Sequence, residues 1–145
     1  VSQLGLHDIE QIGLPDIRGT VFDMTDAIGA RKASDALAAY DRLIRCREPV
    51  QKIRFMFARH IGQLICASEL KRADAIRQQL KVHPFVAGKL SRQAVLFSID
   101  ELEALYDQCV QYDDAVKTGQ LDESIAMEML LVQAAYGPKP KPPSH

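Results

Sequence analysis

Residues 49–72 read PVQKIRFMFARHIGQLICASELKR, and this stretch decides the fold class. Pro49 suits the first turn of a helix, where its missing N–H costs nothing. Val50, Ile53, Phe57, Ile61 and Leu64 then recur at spacings of three and four, and Met56, Ile65 and Leu70 widen the stripe. A helix apolar over so much of its circumference belongs at the centre of a protein. The pattern predicts a core helix from Pro49 to about Arg72.

Upstream, Ala36, Leu37, Tyr40, Leu43 and Ile44 form the inward stripe of a helix over about 33–46. Val21, Phe22, Thr25 and Ile28 share one face of another over about 21–30, with Gly29 weakening its end. Gly13, Pro15 and Gly19 mark a linker over 13–20. Leu4, Leu6, Ile9 and Ile12 predict a short helix over 4–12.

Downstream, a short helix over 73–80 carries Ala73, Ile76 and Leu80. Val82-His83-Pro84 is a turn, because the residue before a proline avoids the helical region. Pro84 opens a helix to about Leu96, with Phe85, Val86, Leu90 and Ala94 inside. Ser98 and Glu101 form a capping box. The helix they start turns Ile99, Leu102, Leu105, Tyr106, Cys109 and Val110 inward. Gly119 supplies a helix-ending residue of positive φ. Asp122 caps a last helix to about Tyr136, with Ile125, Met129, Leu130 and Val132 expected inside.

No stretch alternates over six residues as a strand would. The expected architecture is therefore all-α, a compact bundle of six or seven helices joined by short loops. The tail over 137–145, rich in Lys and Pro, is expected to be extended or disordered.

A chain of 145 residues, 47% apolar and 26% charged, is long enough for one domain with its own core. No apolar run approaches the roughly 18 residues of a membrane span. Val1 opens a polar, acidic segment, so no signal peptide is expected, and the absent initiator Met points to a fragment. Cys46, Cys66 and Cys109 are odd in number and widely spaced. They read as reduced apolar fillers of a cytosolic protein.

The net charge of -1 conceals segregation. Residues 31–97 hold fourteen Lys and Arg against five acids, a net +9. Residues 98–145 hold three Lys against nine acids, a net -6. Either a charged partner or internal pairing of the two halves accounts for this. Arg42, Arg45, Lys52, Arg54, Arg59, Arg77, Lys81, Lys89 and Arg92 are the candidate surface for a partner or for phosphates. Residues 73–97 also resemble a helix-turn-helix, which leaves an independent nucleic-acid-binding module as the alternative reading.

Motifs for chemistry are sparse. Phosphate loops are missing from the sequence, and no cofactor is implied. His7, His60, His83 and His145 have no partner at zinc spacing. Ser68-Glu69-Leu70-Lys71 and Lys117-Thr118-Gly119 imitate two elements of the penicillin-binding set. The S-D-N element is missing, and Lys117 to Gly119 fall at a helix end. Asp113 and Lys117 stand i, i+4 in the favourable order, an ion pair and not a catalytic dyad.

One ordered series remains: Val21-Phe22-Asp23 and Asp26-Ala27; His83-Pro84-Phe85 followed by Lys89 and Gln93-Ala94; Phe97-Ser98 with Leu102; Asp113 with Lys117-Thr118-Gly119; and Glu128 in an apolar last helix. Over about residues 20–135 this series resembles the C-terminal domain of the bacterial DNA polymerase III delta subunit. The resemblance implies a helical collar domain, 20–136, of an AAA+-like clamp-loader subunit without ATPase function. Residues 1–19 would end a preceding lid domain. The implied partners are the tau/gamma and delta-prime subunits, the sliding clamp through an N-terminal domain outside this chain, and primed DNA through the whole complex. No membrane partner and no enzymatic activity of the fragment are implied, and its place would be the cytoplasmic replisome. Phe22, Asp23, Asp26, His83, Pro84, Phe85, Asp113, Lys117 and Glu128 would be structural.

Overall fold

The computed structural model describes residues 16–136, and among them every regular element is helical. The elements are α1 (Ile17–Gly29), α2 (Ala33–Arg45), α3 (Val50–Leu70), α4 (Ala73–Leu80), α5 (Pro84–Ala94), α6 (Ile99–Lys117) and α7 (Glu123–Tyr136). The helix expected over 4–12 and the tail over 137–145 lie outside the described residues.

Helix α3 is the hub, packing against α1, α4, α5, α6 and α7. Its predicted stripe is the centre of the core: Ile53, Phe57, Ile61 and Leu64 are wholly buried. Helices α1 and α2 pair as a hairpin, α4 and α5 as another, and α7 closes against α1, α2, α3 and α6.

Several helix starts follow the sequence signals. Ser98 accepts from the Glu101 N–H at 3.1 Å, and the Glu101 carboxylate accepts from the Ser98 N–H at 3.0 Å. His83 Nδ1 accepts from the Phe85 N–H at 3.0 Å, with Pro84 in the first turn of α5. The Asp122 carboxylate accepts from the Ser124 N–H at 3.0 Å, opening α7. Pro49 stands one residue outside α3 rather than in its first turn.

The start of α1 corrects the expected linker. Asp16 accepts from the Gly19 N–H at 3.1 Å, so Ile17 to Thr20 form the first turn and Gly19 lies within the helix. Residues 13–15 lie outside the described residues. A side-chain cap at Asp16 offsets the helix-weakening glycine three residues on.

Helix ends were less legible. Helices α1, α2 and α6 finish in one motif, with paired reverse bonds such as Arg31 N–H to the Ile28 carbonyl and Lys32 N–H to the Ala27 carbonyl. The residue of positive φ is Arg31, Arg47 and Gly119 respectively; Lys71 and Lys81 do the same after α3 and α4. Only Gly119 declares itself in the sequence. Lys71, at φ 67°, ends α3 two residues earlier than expected.

Five large apolar residues expected inside are outside: Phe85, Tyr106, Val110, Ile125 and Met129. In α7 the core face is Ala126, Met127, Leu130, Leu131, Ala134 and Ala135. That helix is apolar nearly all round, so periodicity could not say which side faces in.

Candidate functional site

Catalytic constellations fail on geometry. Arg54 of α3 bonds Asp113 of α6, and Gly62 lies beside Tyr106, so the two helices run antiparallel. Lys117, paired with Asp113, is therefore at the Arg54 end of α3. Ser68 is fourteen residues past Arg54, about 21 Å along the axis at 1.5 Å per residue. Serine and the Lys117-Thr118-Gly119 turn cannot share a site. Burial pushes the Cys109 thiol up to about 12, so it is no nucleophile at neutral pH. Among the described residues no three His, Cys, Asp or Glu side chains gather as metal ligands.

Some residues of the ordered series tie helices together, while Phe85 and Glu128 stand exposed. Phe22 of α1 is buried and meets the His60 ring edge to face at 4.4 Å. His60 Nε2 and Gln93 Oε1 are 2.6 Å apart. The Gln93 amide N–H groups are taken by the Phe22 carbonyl at 3.0 Å and an Asp26 carboxylate oxygen at 2.7 Å. Gln93 Oε1 must then accept, which places the imidazole proton on Nε2. Burial lowers the His60 pKa to about 4, with the Gln93 bond and Asp26 opposing and Arg18 and Lys89 assisting. His60 is therefore a neutral donor that ties α3 to α5, while Gln93 ties α5 to α1.

A second tie joins α3 to the C-terminal helices. Arg54 donates to Asp113 at 2.9 Å and to Glu123 at 3.4 Å, and its side chain is only 10% exposed. Asp113 also accepts from Lys117 at 2.7 Å. Hydrogen bonds from Lys117 and then Arg54 hold the Asp113 carboxyl below its usual range. Arg54, expected on the partner surface, is instead committed inside the fold.

The remaining predicted cations divide. Arg42 pairs with Asp23 at 3.1 Å, Arg45 with Asp41 at 2.8 Å and Lys52 with Glu48 at 3.4 Å. Among the described residues Arg59, Arg77, Lys81, Lys89 and Arg92 form no ion pair. Lys89 lies 4.3 Å from the Phe22 ring centre and 5.7 Å from that of Phe85. Sequence reasoning missed Arg18, which donates to Gln63 at 2.9 Å. Burial first, then the Arg59 charge, pull its pKa below the ordinary value.

Charge is thus segregated in space. The α4–α5 segment, 71–97, carries six Lys and Arg against Asp74, a net +5. Residues 98–136 carry nine acids against Lys117, a net -8. Internal pairing between the basic and acidic halves is confined to Arg31–Glu101 and the Arg54 tie.

Large apolar side chains stand on the outside in three places. Phe55, 66% exposed, with Tyr106 and Val110 borders a groove between α3 and α6. Phe85, 65% exposed, and Val95 and Leu96 lie on and after α5. Ile125, Met129 and Tyr136 stand out from α7, Tyr136 at 79%. Contiguous outward apolar surface marks sites of association. The signal for α7 is present in the sequence as two interleaved apolar stripes.

Comparison with known proteins agrees with this picture. The sequence profile described as DNA polymerase III delta subunit, C-terminal domain, matches residues 18–134. The Bacillus subtilis (strain 168) DNA polymerase III subunit delta is 26% identical over 136 residues, covering 91% of this chain and 39% of the relative. The solved Bacillus subtilis DNA clamp loader delta protein superposes with a TM-score of 0.80 at 25% identity, covering 90% of this chain and 40% of that one. The chain spans about two-fifths of the length of these relatives.

Proposed function

Because the chain belongs to the family formed by the C-terminal domain of the DNA polymerase III delta subunit, we propose that it is the collar of a clamp-loader subunit. It joins tau/gamma and delta-prime subunits, so that the complex can open a sliding clamp and load it on primed DNA. Contact with the clamp falls to an N-terminal part outside this chain, as does any nucleotide response. Its place is the cytoplasmic replication machinery. Residues 20–136, with the start of α1 at Ile17, form the collar domain, and the residues before α1 end a preceding lid domain.

The observation that carries this reading is the outward apolar surface on α3, α5, α6 and α7 of a bundle whose core is already complete. A ring subunit needs two different docking faces, because a head-to-tail interface joins unlike surfaces. Separation of a basic from an acidic end suits the same geometry, since unlike ends attract and wrong orientations are penalised. No covalent step is assigned to the fragment. Mixing the chain with tau/gamma and delta-prime subunits and measuring mass by light scattering tests the reading. A stoichiometric complex is expected, and species that stay separate at micromolar concentration refute it.

Arg59, Arg77, Lys81, Lys89 and Arg92, which form no ion pair among the described residues, favour a second reading, sequence-independent contact with nucleic-acid phosphates. Such binding must fall steeply with salt. Titration of labelled duplex at two salt concentrations decides it, and no binding at low salt rejects it.

A further inference from the structure

Helix α7 carries two apolar faces, and the bundle uses one. Opposite its core face, Ile125, Met129, Val132 and Tyr136 follow one another at spacings of four, three and four. At about 100° per residue they fall within a strip about 60° wide. Ile125, Met129 and Tyr136 are exposed and Val132 is half-buried. A stripe at this spacing is the seam into which a second helix inserts its side chains.

We propose that this stripe seats a helix of a sister collar subunit, one whose own apolar seam is bordered by Lys or Arg. The proposal rests on the collar reading and names the face that serves it. Charge decides the occupant. Glu128 borders the stripe, exposed, in a segment of net charge -8 over 98–136. A second copy docking by the same stripe about a two-fold axis would bring two acidic ends together. Residues 1–15 bring Asp8 and Glu10 and no Lys or Arg, so they fit no better. A helix with basic borders satisfies both the seam and the field.

The test uses the assembly of this chain with tau/gamma and delta-prime subunits, read by native mass spectrometry and calorimetry. Met129→Glu places a charge in the seam without touching the core. It should leave the far-ultraviolet dichroism and the melting temperature unchanged and weaken assembly about tenfold or more. Glu128→Lys should weaken it several-fold, and unchanged or tighter assembly would overturn the assignment of a basic partner. A photo-crosslinking side chain at position 129 should capture a helix of a sister subunit. Capture of a second copy, or of residues 1–15, overturns the proposal. If Met129→Glu assembles like wild type while Val110→Glu, in the α3–α6 groove, does not, the stripe is refuted and the collar reading stands. If the wild-type chain assembles with neither subunit, the collar reading itself falls and the stripe falls with it.

Discussion

Acid should loosen this bundle chiefly through His60. Its imidazole is buried against Phe22 and donates from Nε2 to Gln93, and burial lowers its pKa from 6.5 to about 4. Between those two values the unfolded chain binds the proton and the folded chain refuses it, so stability rises with pH across that window. Above pH 6.5 nothing is lost; below pH 4 the penalty is complete. At 1.36 kcal/mol per pH unit the full penalty is about 3 kcal/mol, of which about 2 has been lost by pH 4.5. That is a large part of the stability of an ordinary domain. Arg18 and Lys89 disfavour the imidazolium, and Asp26 and the Gln93 oxygen favour it.

The assay is urea unfolding at pH 7.0 and 4.5 for wild type and for His60→Gln, whose amide can still donate to Gln93 but does not titrate. Asp113, whose lowered pKa also removes stability as pH falls, is common to both proteins and cancels in the comparison. Wild type should lose about 2 kcal/mol more than the variant over this interval. Equal losses, or a His60 resonance that titrates near 6.5 by NMR, would show that this imidazole does not set the acid response.

Three further perturbations test the internal ties. Gln93→Leu strips partners from the Phe22 carbonyl, Asp26 and His60, and should cost about 2–4 kcal/mol by chemical denaturation. Arg54→Met leaves Asp113 with Lys117 alone and Glu123 without its arginine. Both acids are more than a third exposed, so the loss should be held to about 1–2 kcal/mol in a thermal melt. Ser98→Ala removes one half of the capping box at the start of α6, and about 1 kcal/mol should disappear with it, with faster amide exchange in the first turn of that helix.

The fold class was legible because it depends on local information. Spacings of three and four, the Ser98–Glu101 box, Pro84 and Gly119 are each read within a few residues, and α3 was placed as the hub from its own stripe. The ties were not legible. His60 and Gln93 are 33 residues apart and Arg54 and Glu123 are 69 apart, and nothing local distinguishes a committed arginine from a solvated one. Only the tertiary structure separates Arg54, held by two carboxylates, from Arg59, which forms no ion pair among the described residues.

The all-helical character of the described residues, the order of their helices and the starts of α5, α6 and α7 are written in the chain itself, because hydrophobic periodicity and cap chemistry act over a single turn. Direction is not written there and came from packing. Helix ends at Arg31, Arg47, Lys71 and Lys81 adopt positive φ without a glycine to announce it. Reverse bonds to the last turn support that geometry at Arg31 and Arg47. The side of α7 that faces inward, and so the side left exposed, was settled by which neighbours closed around it. A helix apolar on both faces carries no internal instruction about which one to bury.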